Sequence, residues 1–201
     1  MSLAVKVSVA LALAALCAAR PAFAQARITE ETKFYQISGK TGMELLRDMN
    51  RRGPRHGFLT KAIAQTQFKT GYSGDFVYEN GVCHAKGASY NLHITYVYPQ
   101  PKVRFDSAMA RRWKVFQATN IQHEREHGRI AKKMANTIGK RLRAFKVKDS
   151  RGCDRPVARL SREIDAIVTA QNKEQMAYDK REHRDGGPVE KSIFSLIGKK
   201  K

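Results

Sequence analysis

The chain has 201 residues, of which 42% are hydrophobic, and a formal net charge of +20. That apolar fraction predicts a packed domain and excludes a wholly disordered chain. After the first 24 residues no apolar run is long enough to cross a bilayer, so we expect no transmembrane segment in the mature protein.

The first 24 residues have the pattern of a bacterial signal peptide. A short start with Lys6 precedes an apolar run over 7–19, and Ala22-Phe23-Ala24 supplies the small residues that a signal peptidase reads. We expect cleavage after Ala24 and export to the periplasm or the medium. Removal of Lys6 and Arg20 lowers the formal charge from +20 to +18.

A lipid anchor at Cys17 is the alternative to cleavage after Ala24. Leu16 precedes this cysteine at a position where a lipoprotein signal needs a small residue, so we favour the simple signal peptide.

Export leaves two cysteines, Cys83 and Cys153, in the mature chain. An even pair in an oxidising compartment favours one disulfide, which would stabilise the fold by on the order of 4 kcal/mol in the chain-entropy model. Metal ligation is the alternative, but neither cysteine lies in a Cys-x-x-Cys pair.

The strongly basic balance predicts anionic surroundings, such as membrane headgroups or acidic cell-wall polymers. The positive charges are spread along the chain and are not interleaved with aromatic residues in one patch. We therefore expect no specific nucleic-acid binding.

The segment at about 33–101 has strand-like patterns. Apolar and polar residues alternate over 33–38, and Thr41 with Glu44 forms a capping box for a short helix. Further strand patterns lie near 62–70, 74–78 and 90–98. Asn80-Gly81, between the runs 76–78 and 82–84, predicts a hairpin turn.

The second half is helical. A long periodic stretch begins at Asp106-Ser107 and continues to Leu142, and a second helix is predicted over about 156–182. We expect an α+β fold with a small antiparallel sheet followed by packed long helices. The predicted domain covers 25–187, and 188–201 is predicted to be a basic tail.

The chemistry-bearing motif is His123-Glu124-Arg125-Glu126-His127, on the first long helix. Residues four apart share one helix face, so His123 and His127 can bind one Zn²⁺ ion. Glu124 then lies beside the open coordination position and is expected to take a proton from a zinc-bound water. The alternative is a chance pattern on a charged helix, but two histidines on an apolar stripe favour a metal.

A catalytic zinc site needs a third protein ligand. Asp179 and His183 are four apart on the second helix, and either can face the first helix if the two pack antiparallel. Glu182 points away from that face. Tyr178 is a candidate donor to a developing oxyanion.

The chain also resembles an uncharacterised bacterial family of exported proteins that is labelled, by motif, as predicted secreted zinc-dependent proteases. The resemblance implies that His123 and His127 are metal ligands and that Glu124 is the catalytic base. It supports Asp179 better than His183, because this histidine stands one place earlier than the family pattern. The residues that carry the resemblance are Phe34-Tyr35-Gln36-Ile37-Ser38-Gly39-Lys40-Thr41, Glu44-Leu45, Gly53-Pro54, Cys83, Tyr98-Pro99, the zinc motif and Tyr178-Asp179.

Together these observations predict an exported, zincin-like metallohydrolase, and specifically a peptidase that acts on polypeptide or on a cell-envelope substrate. Hydrolysis of cell-wall peptides is a variant with the same chemistry. The alternative is a non-catalytic, basic envelope-binding protein in which the metal is structural or absent.

Overall fold

A computed structural model describes residues 26–56 and 60–199, and the side chains of His56 and Thr60 are not described. The predicted signal peptide, 1–24, lies outside these residues. Within the described part, no helix is both long and apolar enough to cross a membrane.

The chain begins with strand β1, Arg27–Ile37, and helix α1, Gly42–Arg52. Two short strands, β2 (Arg55–His56) and β3 (Thr60–Lys61), pair with each other, and β4 (Gln65–Glu79) and β5 (Val82–Pro101) follow. The second half contains α2 (Ser107–Arg143), β6 (Lys146–Lys148), α3 (Asp154–Glu182) and α4 (Pro188–Ile197).

Strand β5 is the centre of the main sheet. Strand β4 pairs antiparallel along one side, while β1 pairs parallel and β6 antiparallel along the other. The predicted α+β class is confirmed, but the sheet is mixed and not purely antiparallel. The alternating pattern in β1 indicates a strand with two unlike faces, and it carries no information about the direction of the partner strand.

The β4–β5 hairpin turns at the predicted residues. Asn80 and Gly81 both have positive φ, 51° and 75°, as a type I′ turn requires. The two predicted strand runs before this turn are one strand, because the pairing continues past a register shift between Ser73 and Asp75. Gly74, between them, has φ 102°, so a bulge and not a chain break separates the runs.

Helices α1 and α2 begin where their capping residues predict. In α1, Thr41 accepts from the main-chain N–H of Glu44, and Glu44 bonds back to the N–H of Thr41. The carboxylate of Asp106 accepts from the N–H of Met109 at the start of α2, which continues for 37 residues. Of the 29 residues of α3, only four are buried: Pro156, Leu160, Gln171 and Tyr178.

Two apolar clusters hold these elements together. The larger one lies between β5, α2 and α3, and its residues include Leu92, Ile94, Ile138 and Leu160. The predicted disulfide is confirmed. It joins the start of β5 to the start of α3, with a Cα–Cα distance of 5.1 Å between Cys83 and Cys153.

The smaller cluster corrects the prediction of a C-terminal tail. Residues 188–197 form α4, which packs against α1 and α2, and Leu196 is fully buried there. The packing is close, since a Cβ at Gly42 would lie 2.0 Å from the main-chain oxygen of Leu196. The apolar patch in this basic segment is therefore the buried face of a helix.

We expect Leu196→Ala to lower the free energy of unfolding by roughly 3 kcal/mol, because it removes a fully buried side chain and leaves a cavity. Val115→Ala is the matched control, since Val115 is 54% exposed; we expect its cost to stay within about 0.5 kcal/mol. Urea unfolding of both variants measures the difference. Equal, small losses would mean that α4 does not contribute to the folded core.

Candidate metal centre

Helices α2 and α3 bring three metal-ligand atoms together. The Nε2 atoms of His123 and His127 lie 3.1 Å apart. The Oδ1 atom of Asp179 lies 3.0 Å from Nε2 of His127 and 3.4 Å from Nε2 of His123. Both histidines are 8% exposed, because this face of α2 packs towards α3.

The triangle formed by these three atoms has the size of a zinc ligand set. With metal–ligand bonds of about 2.0–2.1 Å, neighbouring ligands of a tetrahedral site lie about 3.3 Å apart. The three distances, 3.0, 3.1 and 3.4 Å, are close to that value. Two imidazole nitrogens and one carboxylate oxygen also form a donor set that zinc prefers.

The charges in the cluster favour a cation at its centre. Burial acts to raise the pKa of Asp179, but contacts with His123 and His127 outweigh it and hold the pKa of this carboxyl well below its usual range. Burial acts to lower the pKa of His127, but hydrogen bonds to Asp179 and Gln175 outweigh it and raise that pKa. Asp179 is therefore an ionised carboxylate that attracts positive charge.

His183 lies at the edge of the same cluster. Its Nε2 atom is 3.9 Å from Oδ1 of Asp179, and ligand atoms of His123, Asp179 and His183 all lie within 4.8 Å of one another. The side chain is 56% exposed at the C-terminal end of α3. Of the two predicted candidates for a third ligand, Asp179 has the ligand spacing to both histidines and His183 is farther out.

Glu124 is buried next to His123 in the chain and is 6% exposed. Burial raises the pKa of its carboxyl above the usual value, and a hydrogen bond from Thr66 opposes part of that rise. The Thr66 hydroxyl lies 2.6 Å from Oε2 of Glu124 and 2.9 Å from its main-chain oxygen. A buried carboxylate with a raised pKa is suited to accept and return a proton.

The ring of Tyr178 covers both histidines. It stacks on His123 with a centroid distance of 5.1 Å and meets His127 edge to face at 5.1 Å. Burial raises the pKa of its hydroxyl, so Tyr178 stays protonated at neutral pH. The structure thus places this residue beside the cluster.

Strand β5 lies against α2 directly behind the cluster. A Cβ at Gly128, the residue after His127, would lie 2.0 Å from the hydroxyl oxygen of Tyr96. This glycine therefore allows the sheet to approach the helix at the position of the second histidine.

The sequence analysis did not predict two polar residues of the site. Gln175 hydrogen-bonds His127 from α3, and Thr66 hydrogen-bonds Glu124 from β4. Gln175, Asp179 and His183 follow one another at four-residue steps, so all three share one face of α3. The same spacing that indicated Asp179 and His183 would therefore also have indicated Gln175. Thr66 is 58 residues from Glu124, and no local pattern marks such a contact.

Fold and site together define a disulfide-bonded α+β domain in which two long helices present the cluster of His123, His127 and Asp179 beside a buried glutamate. The chain belongs to a bacterial family described as "Bacterial protein of unknown function (DUF922)", which it matches over residues 32–187. Comparison with curated proteins and with solved structures found no significant match. The family description names no activity, so zinc-dependent proteolysis stays a prediction.

Proposed function

We propose that this protein is an exported zinc-dependent hydrolase, and specifically a peptidase. The observation that supports it most is the triangle of His123 Nε2, His127 Nε2 and Asp179 Oδ1, with edges of 3.0–3.4 Å. Three protein ligands are the number that catalytic zinc sites use, since the remaining position is then available to water or substrate.

When bound, zinc supplies Lewis acidity that activates water and polarises a scissile carbonyl. Glu124 accepts the proton of the attacking water and later returns it to the leaving amine. Its burial and its raised pKa suit both transfers. The Thr66 hydroxyl holds one carboxylate oxygen of Glu124 and leaves the other available for that proton.

Tyr178 and His183 complete the proposed site. The protonated hydroxyl of Tyr178 can donate to the oxyanion that develops when the carbonyl is attacked. His183, half-exposed and 3.9 Å from Asp179, lies at the rim. His183 is the second candidate for the third protein ligand. If it bound zinc in addition to His123, His127 and Asp179, the site would have four protein ligands.

The proposed substrate is polypeptide, either free or as part of the cell envelope. The intrachain disulfide suits an oxidising, exported environment. The basic surface favours an anionic substrate or an anionic envelope surface close to it.

Metal analysis of the purified mature protein tests the metal part of this proposal. We expect near-equimolar zinc in the wild type and its loss in His127→Ala, because two remaining ligands hold zinc weakly. His84→Ala is the matched control, since His84 lies in β5 and contacts Glu79 instead of the cluster. A wild-type protein that is folded and takes up no zinc would favour the non-catalytic envelope-binding alternative.

A further inference from the structure

Gln175 contacts His127 at two points. It lies on α3, one turn before Asp179, and its side-chain Nε2 is 3.1 Å from the main-chain oxygen of His127. Its Oε1 forms a hydrogen bond with Nδ1 of the same imidazole. One side chain from α3 thus holds both the backbone and the ring of a residue on α2.

These two contacts determine which nitrogen of His127 carries the proton. The main-chain oxygen of His127 only accepts, so the group that faces it must be the amide NH₂ of Gln175. The other end of the amide is then the oxygen, which also only accepts. Nδ1 of His127 must therefore be the donor, and the neutral ring has its lone pair on Nε2.

That nitrogen points at the ligand cluster. Nε2 of His127 lies 3.0 Å from Oδ1 of Asp179 and 3.1 Å from Nε2 of His123. In the metal-free protein a proton on Nε2 bonds the Asp179 carboxylate. Because Gln175 keeps the proton on Nδ1, the Nε2 proton is the one that a metal ion would displace. The Gln175 contact therefore prepares this nitrogen for a metal ion.

We propose that Gln175 is a positioning residue for the metal centre. It fixes the Nδ1–H tautomer and the ring orientation of His127, and so increases the affinity for zinc. The inference rests on the proposed function where it concerns zinc, whereas the tautomer belongs to the protein alone. Residues that hold a ligand histidine in this way typically change metal affinity 10–100-fold.

The other histidine lacks such support. Nδ1 of His123 is buried and has no hydrogen-bond partner among the described residues. Orientation of His123 comes instead from packing, with the ring of Tyr178 stacked at 5.1 Å. Without Gln175, neither ligand histidine would have a hydrogen-bond partner for its Nδ1 atom among the described residues.

Three variants of the full mature chain test the proposal by equilibrium zinc titration against a chromophoric chelator. We expect Gln175→Leu to weaken zinc binding 10–100-fold. Gln175→Glu keeps an acceptor for Nδ1–H while losing the bond to the main-chain oxygen, so we expect binding within a few-fold of wild type. Gln171→Leu is the matched control, since Gln171 is buried one turn earlier on the same helix.

The control and the conservative variant separate positioning from simple packing. Wild-type affinity in Gln175→Leu would overturn the proposal. Equal losses in Gln175→Leu and Gln175→Glu would also overturn it, because the loss would then follow from the helix–helix contact and not from the Nδ1 acceptor.

Protonation of Nδ1 is read separately by long-range ¹H–¹⁵N NMR of the metal-free protein near neutral pH. We expect Nδ1 of His127 to carry a proton in the wild type, and to lose it in Gln175→Leu while Nε2 keeps the proton that bonds Asp179. A wild-type His127 without a proton on Nδ1 would overturn the inference even if zinc binds. If the Nδ1–H form is present but the wild type binds no zinc, the proposed function fails and the positioning of the ring stands.

Discussion

Glu124→Gln is expected to lower peptide hydrolysis about a thousandfold while leaving zinc binding close to the wild-type level. Glutamine has nearly the size of glutamate, and it still accepts the Thr66 hydrogen bond through its carbonyl oxygen. It cannot take a proton from water, so only the proton transfer is lost. The metal ligands themselves are unchanged.

The measurement pairs zinc content with cleavage of a mixed library of unfolded peptides, followed by mass spectrometry. Glu126→Gln is the matched control, because Glu126 lies on the same helix and bonds Arg129 on the outer side. We expect the control to cleave at the wild-type rate. Undiminished cleavage by Glu124→Gln, with zinc present, would contradict the role of Glu124 as the base.

Loss of the disulfide has the largest expected effect on stability. In the chain-entropy model a bridge across 70 residues contributes about 4 kcal/mol. Replacing Cys83 and Cys153 together by serine is therefore expected to lower Tm by roughly 8–16 °C for a domain of this size. Cys83 is fully buried, so serine also introduces a buried hydroxyl and adds to the loss.

Differential scanning calorimetry measures this effect. It compares the Tm of the double variant with that of the wild type, recorded once with and once without a reductant. Reduced wild type should approach the double variant in Tm, since both lack the same bridge. If the double variant and the oxidised wild type had the same Tm, the bridge would contribute little to stability.

Local patterns in the sequence were sufficient to predict several parts of the fold. The capping box of α1, the cap at Asp106 and the Asn80-Gly81 turn each depend on residues within four positions of one another. The disulfide was predictable because export leaves only two cysteines to pair. The spacing of His123 and His127 on one helix face was predictable for the same local reason.

The remaining parts depend on contacts that are distant in sequence. The parallel pairing of β1 with β5 joins residues more than sixty positions apart. Packing of α4 depends on Gly42, which permits the approach but carries no local sign of it. In the site, the spacing of Asp179 and His183 was enough to propose both as candidate zinc ligands. Only the packing of α3 on α2 shows that Asp179 lies close to the ligand histidines and that His183 lies farther out.

The attachment of α3 has a mechanical consequence. The disulfide at Cys153 anchors its first turn, and Asp179 lies 26 residues further on, about 39 Å along the helix axis. Between these ends α3 rests on the larger apolar cluster through Leu160, Ile164 and Val168. Over this length a tilt of about 3° would displace the carboxylate by about 2 Å. That displacement equals a metal–ligand bond, so small changes in how α3 rests on α2 suffice to open or close the ligand triangle.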